Sequence, residues 1–367
     1  MTKGLELHSR ITSKSELELS LVEVQVPAPG PDEVVVKIQA TPINPSDLGL
    51  LLGPAEPDTA KAIGMVTMLK VPEQRLPMVA ARLEQAMKVG NEGAGVVVEA
   101  GANCQDLMGK TVAIGSGGMY ATHRLANKRE VVPLPAGVTA EQGAAAFVNP
   151  MTALCFLETM RMEGHSAIVH TAAASNLGQM LVKVCAKDGV PLVNIVRSQA
   201  QAEILKGLGA ELVIDSTSED FRGQLTAAIR QTKATLAFDA IGGGTMASQI
   251  LHAMEVAAVE GKPYNRYGSP TFKQVYIYGT LDTSPTVLNR TYGFAWGVST
   301  WLVTYAMGKI GMEAAMRVRG RIIAELTTTF ASKYTATISL REAIQPDVIA
   351  RYAKKATGEK YLIDPSK

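Results

Sequence analysis

The chain has 367 residues, 47% of them hydrophobic and 19% charged, with a formal charge of +2. That length suits two medium-sized cores better than one large one. Without a basic block or an acidic tail, the charge argues against capture by a nucleic-acid backbone or an anionic membrane and points to a small molecule as partner.

From Met1 to Ser20 polar and apolar residues alternate, with no continuous apolar core of a signal peptide, and no uncharged run elsewhere is long enough to span a membrane. The first third is then punctuated by Pro27, Pro29, Gly30, Pro31, Pro42 and Pro45 between short β-rich runs: Glu33 to Ala40, Gly95 to Glu99 and Thr111 to Ile114. This is the pattern of an irregular barrel. Between Gly53 and Gly90 the apolar residues of Leu76 to Lys88 (Met78, Val79, Leu83, Met87) fall at helical spacing and predict a helical insertion. Cys104, Cys155 and Cys185 are scattered and never form a CxxC pair, which argues against a disulfide framework or a four-cysteine zinc lobe and suits a reducing cytoplasm.

From about Gly143 the rhythm becomes strand, helix, strand, as in a parallel sheet. Predicted strands are Ala167 to Thr171, Leu192 to Val196, Leu212 to Ile214, Leu236 to Asp239 and Val275 to Tyr278, each a short apolar run suited to cover on both faces. Helices are expected to begin near Asn176, Ser198, Glu219 and Thr245, with Ser198 and Gln201 forming a capping box. The aromatic-rich Tyr292 to Met307 reads as a strand followed by a buried helix; a long helix runs from Trp301 to about Leu326, then a polar strand from Thr327 to Thr337 and a closing strand from Lys360 to Ile363.

The first βα turn of this region, Thr171 to Gly178, places small residues at Ala172, Ser175 and Gly178. Dinucleotide-binding turns need small residues at such spacing so that the backbone turns tightly, pyrophosphate reaches the helix start, and helix packs close to strand. At the end of the next strand stands Arg197, followed by Ser198 and Gln199, where an NAD site would carry an acid for the ribose hydroxyls. A guanidinium there suits a 2′-phosphate, so NADPH is the expected cofactor. Two further loops, Asp239 to Gly244 with Gly242, and Tyr278-Gly279-Thr280-Leu281, follow strands at the same sheet edge; two glycine-bearing loops there favour a ligand, plain turn chemistry being the alternative.

The segments Pro42-Ile43-Asn44-Pro45-Ser46-Asp47, Gly90-Asn91-Glu92-Gly93, Asn149-Pro150-Met151-Thr152-Ala153 and Val193-Asn194-Ile195-Val196-Arg197, in this order, resemble those of the zinc-independent medium-chain dehydrogenase/reductase superfamily. The resemblance is to quinone oxidoreductases and, more closely, mitochondrial-type 2-enoyl thioester reductases. It implies an α/β chain with a GroES-like irregular β-barrel catalytic domain (1–148 and 306–367) and a Rossmann doubly wound parallel sheet (149–305), paired as a homodimer through the Rossmann sheet edge. It further implies that NADPH is held by Asn149 and Thr152 of the NPxTA-like segment, by Ala174, Ser175, Asn176, Leu177 and Gly178 of the turn, and by Arg197, Ser198 and Gln199 at the 2′-phosphate. On the nicotinamide side it implies Tyr278, Gly279, Thr280 and Leu281 together with Phe294, Ala295 and Trp296, and Lys360 near the end.

Zinc-containing relatives bind their catalytic metal through Cys, His and Cys; the matching places here lie near Asn44, at Asn91 and near Asn149. Carboxamides are weak, uncharged donors, so no metal is expected. None of His8, His123, His165, His170 and His252 makes a ligand pair at helical spacing. Without a Lewis acid, hydride transfer favours acceptors that delocalise the incoming charge, quinones and conjugated carbonyls. Asn44 is the expected side-chain donor to the developing oxyanion, a loop-stabilising role being the alternative, and Asp47 reads as a structural cap. The tyrosine that enoyl reductases carry soon after this segment has no counterpart between Leu48 and Gly90; Tyr120 or water is left to supply the proton. The sequence thus predicts an NADPH-dependent reductase of quinones or conjugated carbonyls, with a 2-enoyl thioester reductase or a non-catalytic NADPH sensor as alternatives.

Overall fold

The computed structural model describes residues 2–367, which separate into two units, Met1–Val148 with Ile322–Lys367, and Asn149–Arg321. The second junction falls after Arg321, not before residue 306 as expected. The residues between are tied into the second unit, where Arg321 pairs with Asp188 at 2.8 Å and Met307 Sδ meets Cys155 Sγ at 3.4 Å.

In the first unit β1 (Thr2–Thr12) and β2 (Glu16–Val26) pair antiparallel and turn Leu7, Ile11, Leu17 and Leu19 into a core. A hairpin, Lys61–Ile63 and Val66–Lys70, extends this sheet beyond β2. The insertion therefore contains a β-hairpin followed by 3₁₀ turns. The helix predicted over Leu76 to Lys88 is absent: Glu73–Arg82 forms 3₁₀ turns broken at Val79, with Pro77 inside and no buried residue. Proline removes a donor from any helix there, and Met78, one of the residues at helical spacing, is 82% exposed. Leu76, Val79 and Leu83 are partly buried against the core of β1 and β2, and polar anchoring adds to this, since Arg82 Nη2 donates to Ser9 Oγ (2.8 Å) and to the Leu50 carbonyl (2.7 Å). A second sheet holds β3 (Glu33–Pro42), β4 (Gly93–Ala100) and β5 (Thr111–Ile114), with Val34, Val36, Ile38, Val97, Val112 and Ile114 in its own core.

The second unit opens with α1 (Val148–Met162), whose first residue still belongs to the first unit. There follow β6 (Ile168–His170), α2 (Asn176–Asp188), β7 (Leu192–Val196), α3 (Gln199–Gly207), β8 (Leu212–Asp215), α4 (Phe221–Thr232), β9 (Leu236–Asp239), α5 (Met246–Val259), β10 (Lys273–Ile277) and β11 (Trp296–Thr300). The strands are all parallel, in the order β8-β7-β6-β9-β10-β11. This is the doubly wound arrangement, in which strand order reverses beside β6. Alternate residues explain the two-sided cover: Val193 and Ile195 pack with Phe221, Leu225, Ile250 and Leu251, while Val196 packs with Val182 and Leu205.

The single long helix expected after Trp301 is two, α6 (Val303–Lys309) and α7 (Gly311–Ala324), broken where Gly311 takes φ +82°. α6 buries only Ala306, so the helix expected to be buried is largely exposed. The polar strand predicted from Thr327 to Thr337 shrinks to β12 (Ala336–Ile338). Upstream of it the backbone N–H groups of Thr328 and Phe330 donate back to the Glu325 carbonyl, which makes turns instead of an extended chain. β13 (Tyr361–Ile363) lies parallel to β12 and antiparallel to β3, returning the chain end to the first unit. Among the described residues no helix is long and apolar enough to cross a membrane.

Candidate functional site

The turn between β6 and α2 carries the close approaches that a dinucleotide turn requires. Ala172 stands in the left-handed region at φ +48°, a conformation in which glycine is the usual choice. A Cβ on Gly178 would lie 2.0 Å from the Ala173 carbonyl oxygen, so only glycine lets α2 pack this near the strand. Ser175 is the N-cap, its Oγ accepting from Gly178 N at 3.1 Å. Ala174 and Leu177 point into the core, leaving their backbone to line the turn. The positive end of the α2 dipole therefore stands at the sheet's C-terminal edge, where anions bind.

At the end of the neighbouring β7, Arg197 is exposed. Its backbone N–H donates to Gln201 Oε1 at 3.0 Å, and Ser198 caps α3 by accepting from Gln201 N at 3.3 Å. The expected capping box is thus half formed, its return bond reaching one residue further upstream. Gln199 is exposed and donates to Glu203. Asn149 and Thr152, both 8% exposed, occupy the first turns of α1.

The two glycine-bearing loops lean on each other. Gly242 at φ +82° would put a Cβ 2.8 Å from the Gly279 carbonyl, and Gly279 would put one 2.6 Å from the Ala240 carbonyl. Leu281 N donates to the Ala240 carbonyl at 3.1 Å. Asp239 fixes the first loop by accepting from Thr171 Oγ1 (2.6 Å), Ile241 N (2.9 Å) and Gly242 N (3.2 Å). Mutual approach of two backbones is a sufficient cause for these glycines, independent of a ligand. Thr280 and Leu281 are exposed at the tip. Tyr278 turns inward, its hydroxyl 2.7 Å from His170 Nε2 and its ring edge-on to Phe156. Burial pushes His170 down to about 3, so it is neutral, and raises the Tyr278 phenol.

Phe294 and Trp296 do not join Tyr278. β11 runs parallel to β10, with Trp296 opposite Lys273 at the strand start and Thr300 opposite Ile277 at its end. Phe294 and Trp296 consequently lie at the opposite edge of the sheet from Tyr278 to Leu281, correcting the grouping expected from the sequence. Phe294 is 80% exposed, and Trp296 packs edge-on to Tyr292 and donates to the Gly293 carbonyl at 3.1 Å. At the C-terminal edge the aromatic is Trp301, which donates to Thr159 Oγ1 at 3.1 Å and packs on Phe156.

In the first unit, Asn44, Asp47, Glu92, Tyr120 and Lys360 are all buried. Asp47 ties two loops by accepting from Asn44 N (2.7 Å) and Asn91 N (2.8 Å). Glu92 accepts from Phe147 N (2.7 Å) and Val148 N (2.9 Å) through Oε2, and from Asn44 Nδ2 (2.8 Å) through Oε1. The amide nitrogen of Asn44 is thereby engaged, which is the loop-stabilising alternative. Asn91 Nδ2 donates to Ser46 Oγ at 3.1 Å. Tyr120 is 1% exposed and donates to the Pro42 carbonyl at 3.2 Å; burial raises its phenol further, so it is poorly placed as an acid. Burial, then the nearby Glu92 charge, pushes Asp47 up to about 7 against the pull of its two backbone donors. Burial raises Glu92 as well, opposed first by Lys360, and lowers Lys360, opposed by Glu92 and Asp47. Glu92 as the hub was not foreseen, although one carboxylate directly before the apolar run of β4 is a signal that it has buried partners.

The profile of the alcohol dehydrogenase GroES-like domain matches residues 30–136. The mitochondrial enoyl-[acyl-carrier-protein] reductase of Xenopus tropicalis is 28% identical over 233 residues, 60% of this chain and 59% of that one. The match therefore spans less than two thirds of that curated relative. A Mesorhizobium loti structure assigned as an NADPH:quinone reductase is 25% identical, with TM-score 0.74 and full coverage of both chains. The quinone oxidoreductase of Escherichia coli in complex with NADPH, 18% identical with TM-score 0.70 and covering 99% of this chain and 100% of that one, shares the fold.

Proposed function

Because this chain belongs to the medium-chain dehydrogenase/reductase superfamily, we propose that it is an NADPH-dependent, zinc-independent oxidoreductase that passes hydride to a quinone or a conjugated carbonyl. The observation that carries the reading is the β6–α2 turn, with Ala172 left-handed and Gly178 against Ala173, next to a strand that ends in Arg197 with no carboxylate in Val196 to Gln199. The turn and the start of α2 suit a pyrophosphate, and the guanidinium suits a 2′-phosphate.

Bound NADPH supplies the hydride; the chain's part is to hold and orient it and to meet the charge that develops on the acceptor. The backbone of Ala174, Ser175, Asn176, Leu177 and Gly178 is assigned to the pyrophosphate, and Arg197, Ser198 and Gln199 to the 2′-phosphate. Asn149, Thr152, Gly242 and the Tyr278 to Leu281 loop are assigned to the rest of the cofactor, Tyr278 through its backbone because its hydroxyl faces His170. Zinc independence is supported by the amides of Asn44 and Asn91, which donate to Glu92 and Ser46. A homodimer formed along β11, the outer strand of the parallel sheet, is supported by the exposure of Ser299 and Thr300. Three free, buried cysteines suit a reducing compartment, and we assign the protein to the cytoplasm.

An enoyl thioester acceptor is the second reading, favoured by the Xenopus relative. The test is loss of NADPH absorbance with a panel of quinones, enones and enoyl thioesters. Turnover of quinones and enones above thioesters supports the first reading; tight NADPH binding with no turnover of any acceptor overturns it.

A further inference from the structure

In the second unit, α4 and α5 cover the sheet face opposite that covered by α2 and α3: Phe221, Leu225, Ile250 and Leu251 pack with Val193 and Ile195, whereas Val182 and Leu205 pack with Val196. The outer surfaces of α4 and α5 do not close completely. A cavity of about 280 Å³ is lined by Arg222 and Thr226 of α4, Gln249 and His252 of α5, and Asn289 and Thr291 of the segment before β11. Its walls are fixed without a ligand. Ser248 Oγ accepts from Asn289 N at 3.1 Å, and His252 Nδ1 shares a hydrogen bond with Thr291 Oγ1 at 3.1 Å, so the segment is fastened to α5 twice. Tyr292, next in the chain, is fully buried and packs edge-on to Trp296. The charge of the cavity is one-sided. Among the described residues the Arg222 guanidinium has no hydrogen-bond or ion-pair partner, only its carbonyl being engaged, by Thr226 Oγ1 at 2.8 Å, and no carboxylate lines the cavity. Ser248 and Gln249 belong to the first turn of α5, whose N-cap Thr245 makes no side-chain cap, so the positive end of that helix dipole adds to the guanidinium.

We propose that this cavity is a phosphate-binding site, taking either free phosphate or the phosphate group of a small phosphorylated metabolite. Arg222 supplies a forked pair of N–H donors to two phosphate oxygens, and His252, whose Nδ1 is held by Thr291, donates to a third through Nε2. A tetrahedral phosphate presents three oxygens to donors arriving from two helices; a carboxylate presents two and leaves one donor unfilled. The volume lies at the small end of ligand sites, which run from about 300 to 1,000 Å³, and suits a phosphate with a short carbon skeleton, not a dinucleotide. None of the lining residues belongs to the β6–α2 turn, to Arg197, Ser198 and Gln199, or to the two glycine-bearing loops. The site therefore stands independently of the NADPH reading.

The experiment is equilibrium dialysis of radiolabelled inorganic phosphate and, separately, of radiolabelled glycerol 3-phosphate against the full chain, at constant ionic strength in chloride. Wild type is compared with Arg222→Ala, Arg222→Lys and Arg197→Ala, each checked for fold by circular dichroism. The expected result is a saturable class of sites whose affinity falls roughly 10–100-fold in Arg222→Ala, the worth of a charge-assisted hydrogen bond, and is unchanged in Arg197→Ala. Arg222→Lys, which keeps the charge and loses the fork, recovers part of the affinity. Tighter retention of glycerol 3-phosphate identifies a phosphorylated metabolite as the source, and tighter retention of inorganic phosphate identifies the free ion. Absence of saturable binding of either probe overturns the proposal, and so does binding that Arg222→Ala leaves intact or that Arg197→Ala abolishes.

Discussion

Asn44 presents its amide nitrogen to Glu92 at 2.8 Å and leaves its own carbonyl oxygen without a partner. An atom that accepts hydrogen bonds repels an oxyanion, and one of the two amide hydrogens of Asn44 is engaged by Glu92, which favours the loop-stabilising role. Asn44→Leu removes a hydrogen bond to a buried charge, for which about 2–3 kcal/mol of stability is expected to be lost. Denaturant unfolding checks it. Residual kcat of the folded fraction should stay within about threefold of wild type, whereas an oxyanion donor would show a loss of order 100-fold in protein that is still folded.

Arg197→Ala is expected to weaken NADPH by roughly 10–100-fold, the worth of a charge-assisted hydrogen bond to phosphate, and to leave NADH nearly unchanged. Parallel titrations of the two cofactors decide it. Equal weakening of both removes the 2′-phosphate role.

At the turn, Gly178→Ala forces a methyl group to within 2.0 Å of the Ala173 carbonyl oxygen unless the backbone shifts. Displacing α2 is expected to lower stability by about 1–3 kcal/mol and to weaken NADPH and NADH alike. Thermal unfolding together with both titrations distinguishes this pattern from that of Arg197→Ala.

Asp47 titrates at about 7 when folded, above its unfolded value of about 3.9. The folded protein therefore binds more protons between these limits. The contribution of this group is full below about pH 4 and is lost as pH rises towards 7. Asp47→Asn removes that dependence, so the stability of wild type relative to the variant should decline over this window by at most about 1.4 kcal/mol per pH unit. Equilibrium unfolding at pH 4, 5, 6 and 7 tests the sign; a relative stability that rises with pH contradicts it.

In the second unit, Lys273 is fully buried and pairs with Glu255 at 2.6 Å, while Glu255 also accepts from Ser269 N at 2.7 Å. Lys273→Met strands a buried carboxylate and is expected to destabilise by about 3–5 kcal/mol; replacing both residues, with Glu255→Leu added, should recover part of it. Calorimetry of the single and double variants gives the coupling.

Where local pattern determines structure, the sequence was legible. Leu192–Val196 is a five-residue strand, apolar but for Asn194, because both sheet faces are covered, and Thr171 to Gly178 shows its turn through the small residues that close packing demands. Periodicity misled at Leu76 to Lys88, where apolar spacing ignored Pro77 and the exposed Met78, and after Trp301, where Gly311 divides a helix that propensity would continue. Pairing was out of reach. That Phe294 and Trp296 stand at the far edge from Tyr278 follows from the register Trp296↔Lys273, which no residue spacing announces. The partners of Glu92 were equally hidden, since two are backbone N–H groups more than fifty residues away and the third is the amide of Asn44, in a distant loop.

Ala172 holds a left-handed conformation that disfavours its own side chain, and Ser175, Gly178 and Asp239 hold the surrounding turns. The conformational entropy of this segment is therefore surrendered during folding and not when a ligand arrives. Such a turn is preorganised: association asks little rearrangement of it, so the intrinsic affinity for a pyrophosphate is not diluted by a search among loop conformations.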